Sequence, residues 1–180
     1  MIVSRLGGRR AAIRPDEPSA AYPAAHTARR ERPGPGDGRR GRPARTVVEL
    51  RRAYGGATMR ALLGASFAPG AAGASTVVEV RHGTPLELDA ACGCRSELGG
   101  PLAAGLPSDF VPAVLGALVA PPGERPLPPG LLRVDRAAFD PLGSGTEAFA
   151  LAAALLRQAL AAQVLGGDPV AVARAALNRW

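Results

Sequence analysis

The 180-residue chain contains no lysine; all 22 of its basic residues are arginine. A phosphate loop of the G-x-x-x-x-G-K-[ST] type needs that lysine to reach the phosphates, so nucleotide hydrolysis on such a loop is excluded. Histidine occurs only at His26 and His82, and cysteine only at Cys92 and Cys94. Thiols two residues apart are poorly placed to bridge, and two ligands do not complete a zinc site. Nucleophilic catalysis needs a nucleophile beside a base, and the one compact set is Cys92 or Cys94 with His82, in a turn. Aromatic residues make up only 4% of the chain. A core of alanine, leucine and valine buries less area per residue, so modest stability is expected. No uninterrupted apolar run reaches the 18 or so residues of a membrane span: Ala148–Leu156 runs straight into Arg157 and Gln158. The opening MIVSRLGGRR lacks the apolar core of a secretory signal. These absences lead us to expect a cytoplasmic protein that is not an enzyme, uses no cofactor or metal and has no membrane partner.

What charge there is sits unevenly. Residues 1–60 hold 14 arginines against five acids, leaving +9, and residues 61–180 hold eight against ten, leaving −2. Basicity therefore belongs to the N-terminal part. Residues 1–45, rich in Arg, Pro and Gly and without a hydrophobic period, read as a disordered arm. Such an arm can contact nucleic-acid phosphates in a salt-sensitive, sequence-independent way. A solvated tail and an Arg-rich targeting segment are the other readings.

Helical and strand periods begin after residue 45. The clearest is Gly143–Val164, where Ser144 and Glu147 have the spacing of a capping box. Phe149, Ala152, Ala153, Leu155, Leu156, Ala159, Leu160 and Val164 recur along one helical face, and Gly166-Gly167 ends it. The alternative for Gly143-Ser144-Gly145-Thr146 is an anion site at the helix start. Thr46–Leu50, Ala57–Phe67, Ser75–Arg81, Leu86–Ala90 and Leu131–Phe139 read as strands, the first four as an antiparallel meander. A helix with Phe110, Ala113, Val114, Ala117 and Leu118 on its apolar face starts at Ser108 or Asp109, with Pro112 in its first turn. A short helix runs from Asp168 to Leu177 with Pro169 at its first position, and Trp180 reads as a packing anchor. The division is an arm over 1–45, an α+β domain over 46–165 and a C-terminal short helix over 166–180.

Two motifs carry a family resemblance. The first is LPSDFVPAVLGAL, Leu106–Leu118, with Pro107, Phe110, Pro112, Ala113, Val114 and Gly116; the second is FDPLGSGTEAFALAAALL, Phe139–Leu156, with Ser144, Ala148, Phe149, Ala152 and Ala153. In this order, with a strand between them, they resemble the fourth domain of translational GTPases of the elongation factor G type. The likeness covers residues 106–156, with residues 46–105 agreeing only in strand character. It implies α+β architecture: a small sheet of about four strands with helices packed on one face, arranged as a ribosomal-protein-like left-handed βαβ sandwich. In that family the domain reaches the decoding region of the small ribosomal subunit through loops at its tip. Here the tip corresponds to the turn from Asp140 to Gly143 and the loop at Gly55-Gly56. The family's tip histidine is absent, with Phe139 and Asp140 at the aligned positions, and its glycine-rich aromatic tip loop has no counterpart.

The resulting expectation is a stand-alone domain binding ribosome or structured RNA. Its candidate contacts are Arg39, Arg40, Arg42, Arg45, Arg51 and Arg52, with Asp140 and Gly143 at the tip. The alternative is a protein-interaction or structural domain that keeps the fold without binding RNA. An enzyme on the same scaffold is a third class, disfavoured by the missing lysine and sparse histidine.

Overall fold

Strands β4 (Ala44–Tyr54) and β5 (Ala57–Pro69) form the longest antiparallel ladder, joined by Gly55-Gly56. Both glycines have positive φ, 58° and 83°, which is what a tight two-residue hairpin turn demands. The computed structural model describes residues 2–6, 8–33, 41–71, 73–84, 93–119 and 126–179. Among these, β1 (Ile2–Leu6), β2 (Arg9–Arg14), β3 (His26–Arg32), β6 (Thr76–His82), β7 (Gly93–Cys94), β8 (Leu102–Ala104) and β9 (Gly130–Phe139) complete one sheet. Its main path runs β1-β2-β4-β5-β9-β6-β3. β9 pairs antiparallel with β5 along one side. Along the other side it pairs in parallel with β6, then bridges to Ala21, then meets β8.

The helices follow from amphipathic sequence. α1 (Val111–Leu118) continues a 3₁₀ turn at Ser108–Phe110 and carries Pro112 in its first turn, where a missing N–H costs little. α2 (Thr146–Val164) buries the stripe from Ala148 and Phe149 to Val164. α3 (Pro169–Arg179) starts where the Asp168 carboxylate accepts the Val170 N–H at 2.8 Å. α2 lies on β4 and β5, α1 against β6 and α2, and α3 against β1, β2 and α2. All three share one core with Ala11, Ile13, Val48, Leu50, Leu63, Phe67, Val80, Val134 and Phe139. By length and composition α2 is apolar enough to cross a membrane, but its apolar stripe is buried in this core.

Strand alternation sends the other half of the sheet's side chains to the opposite face. There Val47, Leu62 and Ala138 form a second, smaller core with Ala20, Cys94 and Leu102. Segments 14–22 and 93–104 therefore cover this face, and the sheet is sandwiched rather than one-sided.

Several expectations are corrected. The small sheet of about four strands with helices on one face, closed as a ribosomal-protein-like left-handed βαβ sandwich, is overturned by a nine-strand sheet covered on both faces. The α+β class itself stands. Residues 1–45 do not form a disordered arm throughout: β2 pairs with β4 over six residue pairs and β3 with β6 over seven. Their apolar runs are short and bordered by arginines: Arg9-Arg10 and Arg14 flank Ala11–Ile13, and Arg29, Arg30 and Arg32 dominate β3. The meander fails because β9 enters between β5 and β6, which do not pair with each other. The strand expected over 86–90, and Cys92 and Trp180, lie outside the described residues.

Candidate nucleic-acid interface

The turn after β9 lies beside the foot of β5. The Asp140 carboxylate accepts the N–H groups of Leu142 at 3.1 Å and Gly143 at 3.2 Å, and the Ser144 N–H returns to the Asp140 carbonyl at 2.8 Å. The Gly143 carbonyl accepts the Arg60 N–H at 3.0 Å, and a Cβ on Gly143 would lie 2.5 Å from the Thr58 carbonyl oxygen. Glycine is required there by this close approach. Held this way, Leu142 points into solvent, 99% exposed.

The capping box expected at the start of α2 does not form. Gly145 is the N-cap and no side chain caps the helix. Ser144 instead accepts the Asp140 N–H at 2.8 Å and donates to the Arg60 carbonyl. Glu147 faces Arg52, whose Nη1 donates to Oε1 at 3.1 Å. The serine thus fixes the turn to β5 rather than starting the helix.

The sequence-predicted arginines are dispersed. Arg39 and Arg40 lie outside the described residues. Arg42 donates its N–H to the Val164 carbonyl at 3.2 Å and its Nε to the Gln163 carbonyl at 2.7 Å, tying the entry of β4 to the end of α2. Arg45 makes a two-point contact with Asp135, at 3.1 and 2.7 Å, and a third with Asp16 at 3.2 Å. The hydrogen-bonded Asp135 raises the Arg45 pKa above its ordinary value. Arg51 donates to the Leu98 carbonyl at 2.9 Å. Only Arg52, Asp140 and Gly143 come together near the turn; Arg45 and Arg42 lie toward the other end of β4.

Beneath segment 93–104 lies a charged cluster that sequence reasoning missed. Glu49 is wholly buried. Its carboxylate accepts Arg14 Nη2 at 3.2 Å, the Glu97 N–H at 2.8 Å, the Leu98 N–H at 3.2 Å and the Ser96 hydroxyl. Arg60 stands 3.8 Å from the same carboxylate and 3.2 Å from Asp140, and donates to Ser96 Oγ at 2.8 Å and the Gly100 carbonyl at 2.6 Å. Arg14 also meets Glu17 at 3.1 Å and Glu97 at 3.3 Å. Arg60 therefore links the exposed turn to the covering segment. The sequence carried no signal for it: the alternation of Val47-Val48-Glu49-Leu50 places Glu49 opposite Val48 and Leu50, on a face that ought to be wet.

Reactive groups lie apart. Cys94 is buried against Ser19, whose hydroxyl donates to Sγ at 3.6 Å, and burial pushes its thiol pKa up. His82 lies across from His26, ring centroids 5.6 Å apart, with Nδ1 3.0 Å from Ser108 Oγ. Burial first, then the neighbouring His26, lowers the His82 pKa. Cys94 and His82 therefore have different neighbours and do not form the pair suggested by the sequence; Cys92, the other thiol of that set, lies outside the described residues. Among the described residues no group of three or more His, Cys, Asp or Glu is placed to hold a metal ion. An open cleft of about 590 Å³ lies between α2 and α3, lined by Arg157, Gln158, Ala161, Leu165, Val172 and Arg179. It is remote from the Asp140 turn.

Comparison with protein-family models, with curated proteins and with solved structures finds no match to this chain.

Proposed function

We propose that this is a non-enzymatic domain of the elongation factor G domain IV type, resident in the cytoplasm, that binds ribosomal or other structured RNA. The contact end is where the Asp140–Gly143 turn adjoins the β4–β5 ladder. The observation that carries this reading is the packing of the two resemblance motifs. Phe110 of the first stacks on Phe149 of the second, with ring centroids 4.8 Å apart. The motifs introduce α1 and α2 on either side of β9 in the chain. Arg52, half-buried on β4, lies near the turn and supplies positive charge there.

The test is RNA and small-subunit binding by the full chain across a salt series. Binding that weakens with salt, together with loss of roughly one unit of log–log slope in Arg52→Glu, supports it. No binding at low salt removes it.

One observation favours the second reading, a protein-interaction domain. Arg45 is saturated by Asp135 and Asp16, and Arg51 by a backbone carbonyl, so charge the sequence offered to RNA is spent within the fold. A solvent-exposed Leu142 suits a protein pocket as well as a base. Salt-insensitive binding of a protein partner, lost in Leu142→Asp, would select this reading.

A further inference from the structure

The chain's only two histidines are separated by 56 positions, yet they stand directly opposite each other where β3 and β6 pair, His26 against His82. We propose that this pair is a surface site for a divalent transition metal, held by two imidazoles and completed by water.

The geometry carries the assignment. A metal bound in the ring plane at about 2.0–2.1 Å from an imidazole nitrogen lies roughly 3.2 Å from that ring's centre. Two such rings at a tetrahedral or trigonal angle hold their centres about 5.2–5.5 Å apart. The observed separation is 5.6 Å, with the ring planes tilted by 41°. The rings thus stand at the separation at which two imidazoles can share one ion.

Surrounding groups hold both rings in place. His82 Nδ1 is 3.0 Å from Ser108 Oγ, a contact that orients the ring and leaves Nε2 for a ligand bond. This is the outer-sphere arrangement that tunes metal-bound histidines. His26 occupies the space beside Gly83, where a Cβ would come within 3.1 Å of its Cδ2. Gly83 has φ 103°, so the backbone that makes this room also requires glycine. His26 is exposed and His82 half-buried, so an ion can enter from solvent.

The donor set decides the ion. Imidazole nitrogen suits Zn²⁺, Ni²⁺ and Cu²⁺, whereas Mg²⁺ and Ca²⁺ want oxygen ligands. With no third protein donor grouped there among the described residues, at least two coordination positions stay open. Such a site admits an external ligand, including a donor from a second macromolecule.

The experiment is a calorimetric titration of the full-length, metal-free chain with Zn²⁺ and Ni²⁺, Mg²⁺ serving as the oxygen-preferring comparison. One equivalent of Zn²⁺ and Ni²⁺ should bind, and Mg²⁺ should not. His26→Asn and His82→Asn should each abolish the one-equivalent transition, and Ser108→Ala should weaken it about tenfold. A Cys92→Ser, Cys94→Ser double variant should bind as the parent does. Circular dichroism verifies that each variant is folded, and Zn²⁺ should raise Tm only where both histidines remain. Three results would overturn the proposal: no binding by the parent, binding unchanged in either histidine variant, or binding lost with the cysteines.

Discussion

Phe110 and Phe149 stack at 4.8 Å between centroids with an interplanar angle of 18°, and so join the start of α1 to the start of α2. Phe149 is fully buried whereas Phe110 is only partly so. Phe149→Ala should therefore destabilise the fold by about 3–5 kcal/mol, the range for a large aromatic removed from a packed core. Phe110→Ala should cost less. A double-mutant cycle by urea denaturation should return about 0.5–1.5 kcal/mol of coupling, and coupling near zero would mean that the rings share only area.

Glu49 provides the sharpest electrostatic test. It is wholly buried, and Arg14, Ser96 and two backbone N–H groups converge on it. Removing one member of a buried network leaves charges and donors stranded, so Glu49→Ala should lower unfolding free energy by about 3–5 kcal/mol. Arg52→Ala breaks a pair whose acid, Glu147, is mostly exposed, and should change stability by less than about 1 kcal/mol. Equal effects in the two variants would contradict the burial argument.

The Tyr22 hydroxyl donates to the Arg81 carbonyl inside the fold, and burial, its largest influence, raises the phenol pKa above its ordinary 10.0. Above pH 10 the native state keeps a proton that the unfolded chain has released, so stability falls as pH rises from there. Ultraviolet titration should show Tyr22 resisting ionisation until the chain unfolds. Tyr22→Phe should cost about 1 kcal/mol at neutral pH and flatten the alkaline loss.

Gly64 lies where β5 meets β4 and β9. An added Cβ would be 2.7 Å from Val47 Cγ2 and 2.9 Å from Arg136 Cβ, beside the register shift between Gly64 and Ala65. Gly64→Ala should destabilise by about 1–3 kcal/mol through overpacking. Gly55 has open space around it but φ 58°, so its substitution by alanine tests backbone strain alone. Thermal denaturation of the two variants separates crowding from strain.

The helices and β9 were legible because their periods are uninterrupted: Phe149 to Val164 is a stripe no other element could use, and Leu132 and Val134 alternate with charge. β2 and β3 were hidden because an edge or arginine-bearing strand shows little apolar period, and partners such as Val48 for Ile13 lie far along the chain. The Asp140 turn was found, but not its fastening. Ser144 and Glu147 have capping-box spacing, and only the proximity of β5 turns Ser144 toward Arg60 instead. Glu49 was unreadable for a related reason: a lone carboxylate in a strand predicts a wet face unless the segment that covers it, here residues 93–104, is known to fold back.

β9 is the one strand through which β1, β2, β4 and β5 connect in the main sheet path to β6 and β3. As the chain emerges during synthesis, two separate ribbons can assemble first, each with an unpaired border that awaits residues 130–139. Until those residues arrive, the borders of β5 and β6 are open to pairing with another molecule. Vectorial production therefore gives this protein an interval in which chaperone cover matters most, and it closes only when the last strand slides between the two ribbons.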